Sequence, residues 1–493
     1  MLSGFLKSVK LFPNKTAIIV NGKSFSYQWL LDKALAIANE ITKKDKSKTH
    51  LIGLYTDNNE YTYAALIGIL LANKGFVPLN HKFPNDRLSK IITDAGIETI
   101  AHCALSKNRI NELKENSSFE IDNLSENNTT AIDYAPNDTQ VVYILFTSGS
   151  TGVPKGIPIT SLNFNALITA LNKRYNLNEN DIVLQAFELS FDVSLACTFI
   201  AWQYGATLLI PEMEGIVAVN SFKAIYDYKA TFVTIPPSAI FYLKKLKMLG
   251  AIKIPSVHTT LFTGEALPYK LVTEWKSSAE NTIVENAYGP TETTVWSLFY
   301  KLDNETEKQT INGLCPIGEG LNGINCAIVD DNYNNVQDGE RGELLVEGAQ
   351  IFNGYWNNNE KTEQAFYIDS NQKKWYKTGD IVVKNENNNI VYINRKDNQV
   401  QVNGFRVELG EVEHALKNVT GLDSIVVLAK ITDDYTDLYA FIEGKFIQAE
   451  LQNKLKDALP FYMIPRHFIA VNPLPINTNG KVDKQLLHKQ FLS

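Results

Sequence analysis

Residues 143–156 read YILFTSGSTGVPKG: an apolar run passes without a break into a loop holding three glycines, two serines, two threonines and one lysine. The run reads as a buried strand. Glycines let backbone N–H groups close around a phosphate, hydroxyls add donors, and Lys155 adds charge. The abrupt junction with its lysine favours a phosphate loop over a plain Ser/Gly surface loop. It is not the GxxxxGK[ST] form, because Pro154 stands five positions after Gly149 where that pattern has glycine. A second glycine pattern, GEGLNG at 318–323, satisfies GxGxxG literally. Pro316 precedes it instead of a strand, and the strand-like CAIVD follows it, so a dinucleotide fold is rejected.

Working outward, short β-type runs alternate with longer helical patterns from about residue 15 to 300, which predicts α/β layers. Strands are expected at 141–146, 182–187 and 232–235. The polar, Asn-rich stretch 106–140 reads as a loose connection. Beyond residue 310, GELLVEG, IVVK, NENNN and IVYINR predict strands and a hairpin. The final segment mixes strands with a helical pattern at 410–418. The expected organisation is a large N-terminal domain, 1–396, of layered α/β subdomains plus a β-rich subdomain. A small mobile α+β C-terminal domain, 397–493, follows it.

The bulk numbers exclude several classes. A hydrophobic fraction of 44% and a charged fraction of 20% suit a globular chain. The net charge of −7 comes with no basic stripe, which argues against nucleic acid as a partner. The first sixteen residues, MLSGFLKSVKLFPNKT, build no signal-peptide core, and the longest apolar run, 64–72, is about half of a membrane span. No membrane insertion is expected. Four cysteines without a CxxC pair suit a reducing, cytoplasmic setting, and seven histidines form no metal-binding cluster.

Further motifs follow the phosphate loop in order: NAYGPTETT at 286–294, GELLVEGAQIFNGYW at 342–356, YKTGD at 376–380, INRKDNQVQVNGFRVELGEVE at 393–413 and PINTNGKVDK at 475–484. GFVPLNHKFPNDRL at 75–88 extends the set toward the N-terminus. Together they resemble the adenylate-forming superfamily of acyl-CoA synthetases, luciferase and nonribosomal peptide synthetase adenylation domains, over nearly the whole chain. The resemblance implies ATP and Mg²⁺. It implies that Thr147, Ser148, Gly149, Ser150, Thr151, Gly152 and Lys155 hold phosphate, that Tyr288 stacks on adenine and that Thr291 bonds the α-phosphate. Glu292 would hold Mg²⁺, and Asp380 would take the ribose hydroxyls with Arg395 nearby. Lys481 would be the catalytic lysine, bridging the substrate carboxylate and the α-phosphate. Asp397 would be the hinge of the C-terminal domain, and Gly404 would lie in the hairpin lining a pantetheine channel. Asn394 and Gln401 depart from the family's usual glycine and lysine.

The segment FELSFDVSLA, 187–196, resembles the amino-acid-activating branch, in which Asp192 would pair with the substrate's α-ammonium. The alternative reading makes Asp192 the cap of the helix that follows it. Carried over by position, Val193, Ala196, Ser238, Leu261, Thr263, Ala287, Val295 and Trp296 would line the side-chain pocket. None is charged, so a neutral amino acid of small to medium size is expected. With about ten residues beyond Lys481, the chain resembles stand-alone amino acid adenylation enzymes such as D-alanine–D-alanyl carrier protein ligase. The expected acceptor is a phosphopantetheinylated carrier protein in trans. Thr263 departs here from the cysteine of the D-alanine enzymes. The rival readings are an acyl- or aryl-CoA synthetase, and a non-catalytic nucleotide-binding protein with the same fold.

Overall fold

The apolar run that opens the phosphate loop forms the strand Val141–Thr147, parallel to Gly75–Asn80 and antiparallel to Lys155–Thr160. The computed structural model describes residues 1–45, 50–113, 117–125, 134–135, 137–148, 154–397, 399–432, 435–476 and 482–492. The strand belongs to a six-stranded sheet in the order Ser117–Glu120, Thr99–His102, Leu51–Thr56, Gly75–Asn80, Val141–Thr147, Lys155–Thr160. Leu51–Thr56 and Gly75–Asn80 are buried at every position, the condition of parallel strands covered on both faces.

A nine-stranded sheet carries, among others, the parallel neighbours Ile182–Leu184, Phe232–Ile235, Thr259–Thr263 and Ile283–Tyr288. One apolar cluster joins side chains of both sheets, such as Leu54 and Tyr143 with Phe232 and Leu261. The helices Glu60–Leu71 and Asp192–Gln203 supply much of that cluster, because their sequences are apolar nearly all round. The apolar run at 64–72 is thus core. Among the described residues, no helix is long and apolar enough to cross a membrane.

A five-stranded sheet follows, in which Lys374–Lys384 pairs with Arg341–Gly348 and with Ile390–Arg395 in the expected hairpin. Next comes a separate hairpin, Gln399–Val402 with Phe405–Glu408. Its two-residue turn has Asn403 at φ 51° and Gly404 at φ 82°, the left-handed pair that an Asn-Gly hairpin turn requires. The last segment is α+β: helix Leu409–Thr420 and the strands Ile425–Ile431, Thr436–Ile442 and His467–Ala470. This segment packs on the six-stranded sheet. Val77, Leu88 and Ile92 share a cluster with Val412, Leu416 and Met463, and the buried pair Arg87 Nη1–Glu411 Oε1 spans 2.6 Å.

Two expectations change. The strand at 182–187 stops at Leu184, because the Gln185 side-chain oxygen takes the Phe187 N–H and its amide nitrogen turns to the Tyr63 hydroxyl. The stretch 106–140 is not all connection: it holds the helix Lys107–Glu112 and the edge strand Ser117–Glu120. An edge strand needs only one apolar side chain turned inward, here Phe119, so its polar composition hides it.

Candidate active site

The helix Asp192–Gln203 begins after Phe191, whose extended backbone is the N-cap, and no side chain caps it. Asp192 is therefore not the cap. It is the first helical residue, 8% exposed, and its Oδ2 has no hydrogen-bond partner. Burial pushes its carboxyl up to about 6, with the nearby Thr291 side chain opposing the rise. A buried carboxylate with a free oxygen is a receptor for a cation.

Thr291 and Glu292 sit in the short 3₁₀ turn Thr291–Thr293, at the end of the strand Ile283–Tyr288. Glu292 is fully buried. Its oxygens accept from Arg406 Nη1 at 3.0 and 3.3 Å and from the Tyr355 hydroxyl at 2.9 Å, and Lys155 Nζ lies 3.9 Å away. Burial raises its carboxyl, but Arg406 and Lys155 overcome this and hold it at about 2. Lys155 also lies 5.1 Å from the centre of the Tyr355 ring. Burial lowers its ammonium, and the neighbouring Arg406 guanidinium adds to that.

From the phosphate loop, Thr147 presents a buried hydroxyl without a partner, and Ser148 Oγ donates to the Arg406 carbonyl at 3.0 Å. Gly149, Ser150, Thr151 and Gly152 lie outside the described residues, and so does Lys481. The flanks of Lys481 fold onto the C-terminal segment itself. Asp483 N–H bonds the Pro475 carbonyl at 2.7 Å, Lys484 Nζ bonds Glu413 at 3.3 Å, and Leu474 N–H bonds Glu443 at 3.2 Å.

A second group gathers where Asp380 and Arg395 face each other across adjacent strands. The Tyr288 hydroxyl donates to Asp380 Oδ2. Arg395 Nη1 reaches Asp380 Oδ1 at 2.9 Å and the Thr378 carbonyl at 2.7 Å, while its Nε and Nη2 take both oxygens of Asp397 at 2.9 and 2.6 Å. Burial pushes the Asp380 carboxyl up, and Arg395 opposes it.

Of the expected pocket residues, Val193, Ala196, Leu261, Ala287, Val295 and Trp296 lie in one buried apolar cluster. Trp296 Nε1 donates to Thr263 Oγ1 at 2.9 Å. Thr294 and Val295 have φ of 56° and 71°, a left-handed turn that β-branched residues rarely adopt. Gln350 braces it, donating to the Trp296 carbonyl at 2.8 Å and the Thr293 carbonyl at 3.3 Å. Such strain persists only where neighbours over-determine it. Ser238 stands apart. Its N–H bonds Glu265 Oε2 at 2.8 Å, and it lines a cavity of about 750 Å³ together with Phe191, Pro236, Gly404, Phe405 and Tyr462.

Sequence reasoning missed Arg406, Tyr355, Gln350 and Glu265. The first three lie inside quoted motifs, and each is a polar residue in an apolar-rich run. Glu265 directly follows a glycine at the end of a buried strand.

Residues 5–356 match the family model described as AMP-binding enzyme. The chain belongs to that family, and so to the adenylate-forming superfamily of enzymes. It is 31% identical to gramicidin S synthase 1 of Brevibacillus brevis, over 99% of this chain and 44% of that protein. It is 26% identical to tyrocidine synthase 1 of Brevibacillus parabrevis, over 99% of this chain and 45% of that protein. The chain thus spans less than half the length of these synthases. In fold it is similar to the Vibrio cholerae adenylation domain AlmE, solved with glycyl-adenosine-5′-phosphate. That match has a TM-score of 0.87 and 23% identity, covering 99% of this chain and 96% of the other. PA1221, an NRPS protein containing adenylation and PCP domains, gives a TM-score of 0.86 and 22% identity, covering 99% and 84%.

Proposed function

We propose that this protein activates a neutral amino acid of small to medium size with ATP, releases pyrophosphate, and passes the aminoacyl group to the phosphopantetheine thiol of a carrier protein. One observation carries the amino acid reading: the buried carboxylate of Asp192, one oxygen without a partner, beside Thr291. A fatty or aromatic acid brings no ammonium to satisfy it, and leaving it bare is costly.

The residues divide the work. Asp192 holds the ammonium and so aims the substrate carboxylate at the α-phosphorus. Lys155, with the Thr147 hydroxyl, offers charge and a donor to the phosphates. Lys481 is assigned to the oxygens that gain charge as the P–O bond to pyrophosphate breaks. Asp380, held by Arg395, would receive the ribose hydroxyls, and Tyr288 beside it the adenine face. Glu292 fits Mg²⁺, which takes few protein carboxylates and completes its shell with phosphate and water oxygens. The ion would neutralise phosphate charge. Both Glu292 oxygens are engaged by Arg406 here, so the hairpin must withdraw before the ion binds.

In the second half-reaction the thiol sulfur attacks the acyl carbon, the mixed-anhydride C–O bond breaks, and AMP leaves. The hairpin turn at Gly404, bordering the cavity, supports its assignment to the thiol channel. The buried, uncharged set around Trp296 supports an uncharged substrate side chain.

The test is pyrophosphate exchange over D- and L-amino acids, with fatty and aromatic acids as controls. Exchange with a neutral amino acid, lost in Asp192→Ala, is expected. Exchange with fatty or aromatic acids that ignores Asp192→Ala would establish a CoA-ligase reading instead. ATP binding without exchange for any acid would establish the non-catalytic one.

A further inference from the structure

The strand Lys374–Lys384 breaks step with its neighbour Arg341–Gly348 at one place. Between the pairs Leu345–Lys377 and Glu343–Ile381, Leu344 stands alone opposite Thr378, Gly379 and Asp380. The surplus residues form a bulge, which re-aims a side chain, and here Asp380 is the one turned onto Tyr288 and Arg395. A bulge also strips backbone groups of their ladder partners, and these must be replaced. The Thr378 hydroxyl donates to the Leu344 carbonyl at 2.8 Å and accepts from the Asp380 N–H at 3.1 Å. The Gly379 N–H goes to Glu343 Oε1 at 3.2 Å, and the Gly379 carbonyl accepts the Lys396 N–H at 2.8 Å. A Cβ on Gly379 would lie 2.7 Å from Arg395 Nη2, so the bulge packs directly on the guanidinium that holds Asp380.

The Glu343 side chain is 12% exposed. Its other oxygen faces Lys396 Nζ at 3.3 Å, an ammonium that bonds Asp331 more closely, at 2.8 Å. Lys396 is half-exposed, so that ion pair contributes little, and the acceptor offered to Gly379 is what matters. We infer that Glu343 is a positioning residue for the nucleotide: by taking the Gly379 N–H it fixes the bulge that presents Asp380 to the ribose hydroxyls. The inference deepens the proposed function and rests on the role given there to Asp380.

The test is equilibrium binding of ATP and of 2′,3′-dideoxy-ATP to the full chain, read as the ratio of the two affinities. Wild type should prefer ATP. In Glu343→Ala the preference should fall about tenfold, as for loss of one hydrogen bond to a charged acceptor. Glu343→Gln keeps an oxygen for the Gly379 N–H and should hold the ratio within about twofold of wild type, because only the weak ion pair is lost. Should Glu343→Ala not fold, Glu343→Asp is read in its place, since it keeps the charge but withdraws the acceptor by one methylene. A purely structural role would weaken both nucleotides alike and leave the ratio unmoved. That result, or a ratio that collapses in Glu343→Gln as far as in Glu343→Ala, overturns the assignment. A wild-type protein that binds both nucleotides equally would remove the ribose role of Asp380 and this inference with it. Failure of pyrophosphate exchange with every acid would instead strike the proposed activity and leave the binding ratio to decide the role of Glu343.

Discussion

Asp192 concentrates the chemistry of this protein in one side chain. Burial disfavours the anion and pushes its carboxyl up to about 6 in the free protein, so under the proposed function it would hold an ammonium well only above that pH. The expected outcome is a kcat/KM for the amino acid that falls about tenfold per pH unit below 6. A pH-rate profile of pyrophosphate exchange measures this, and Asp192→Ala should lose two to three orders of magnitude, as when one partner of a buried ion pair is removed. Stability moves the opposite way. The folded pKa lies above the unfolded 3.8, so the favourable proton binding is complete below about pH 4 and is lost as pH rises through 6. At pH 7 the unliganded protein should gain up to about 3 kcal/mol on Asp192→Asn, visible as a raised Tm that vanishes at pH 4. Lys481→Ala should fold normally yet lose exchange by about 10²–10³-fold, the scale of removing one transition-state donor. Near-normal exchange in that variant would defeat the assignment.

At the scale of the element, the hairpin Gln399–Glu408 is the part that meets the site. It brings Arg406 to Glu292, the Arg406 carbonyl to Ser148, and Phe405 into a stack with Tyr462 at 4.2 Å. Its turn tolerates little change, since Gly404 sits at φ 82°, where an L side chain is strained. Gly404→Val puts a branched side chain at that φ. Transfer to a thiol should slow at least tenfold while pyrophosphate exchange holds. A parallel loss of both would show that the turn matters for folding alone. The alternation VNGFRVE announces this hairpin, but period two says only that Arg406 lies on the face opposite Phe405 and Val407. That its guanidinium ends on the Glu292 carboxylate depends on a contact between residues 114 positions apart.

At the scale of the whole molecule, the C-terminal segment is docked by a shared apolar cluster and by the Arg87–Glu411 pair, each side chain 5% exposed. Removing one member of such a pair leaves an uncompensated buried charge, at about 3–5 kcal/mol. Glu411→Ala should therefore loosen the docked orientation. Limited proteolysis near residues 396–400 should then run at least tenfold faster than in wild type, with Tm of the N-terminal body unchanged. Equal cleavage rates would mean that the apolar cluster holds the segment without the pair.

The sequence by itself determined the layered α/β architecture and the family, because glycines, apolar periods and ordered motifs are local features of the chain. It also singled out Asp192, through the resemblance of FELSFDVSLA to the amino-acid-activating branch. Only the tertiary structure decided that Asp192 keeps an unpartnered oxygen, that Ser238 belongs with Glu265 beside the cavity, and that Arg406 occupies the carboxylate expected for a metal. Burial and pairing are properties of how distant segments meet, and charge acquires its meaning from the dielectric and partners that the fold provides.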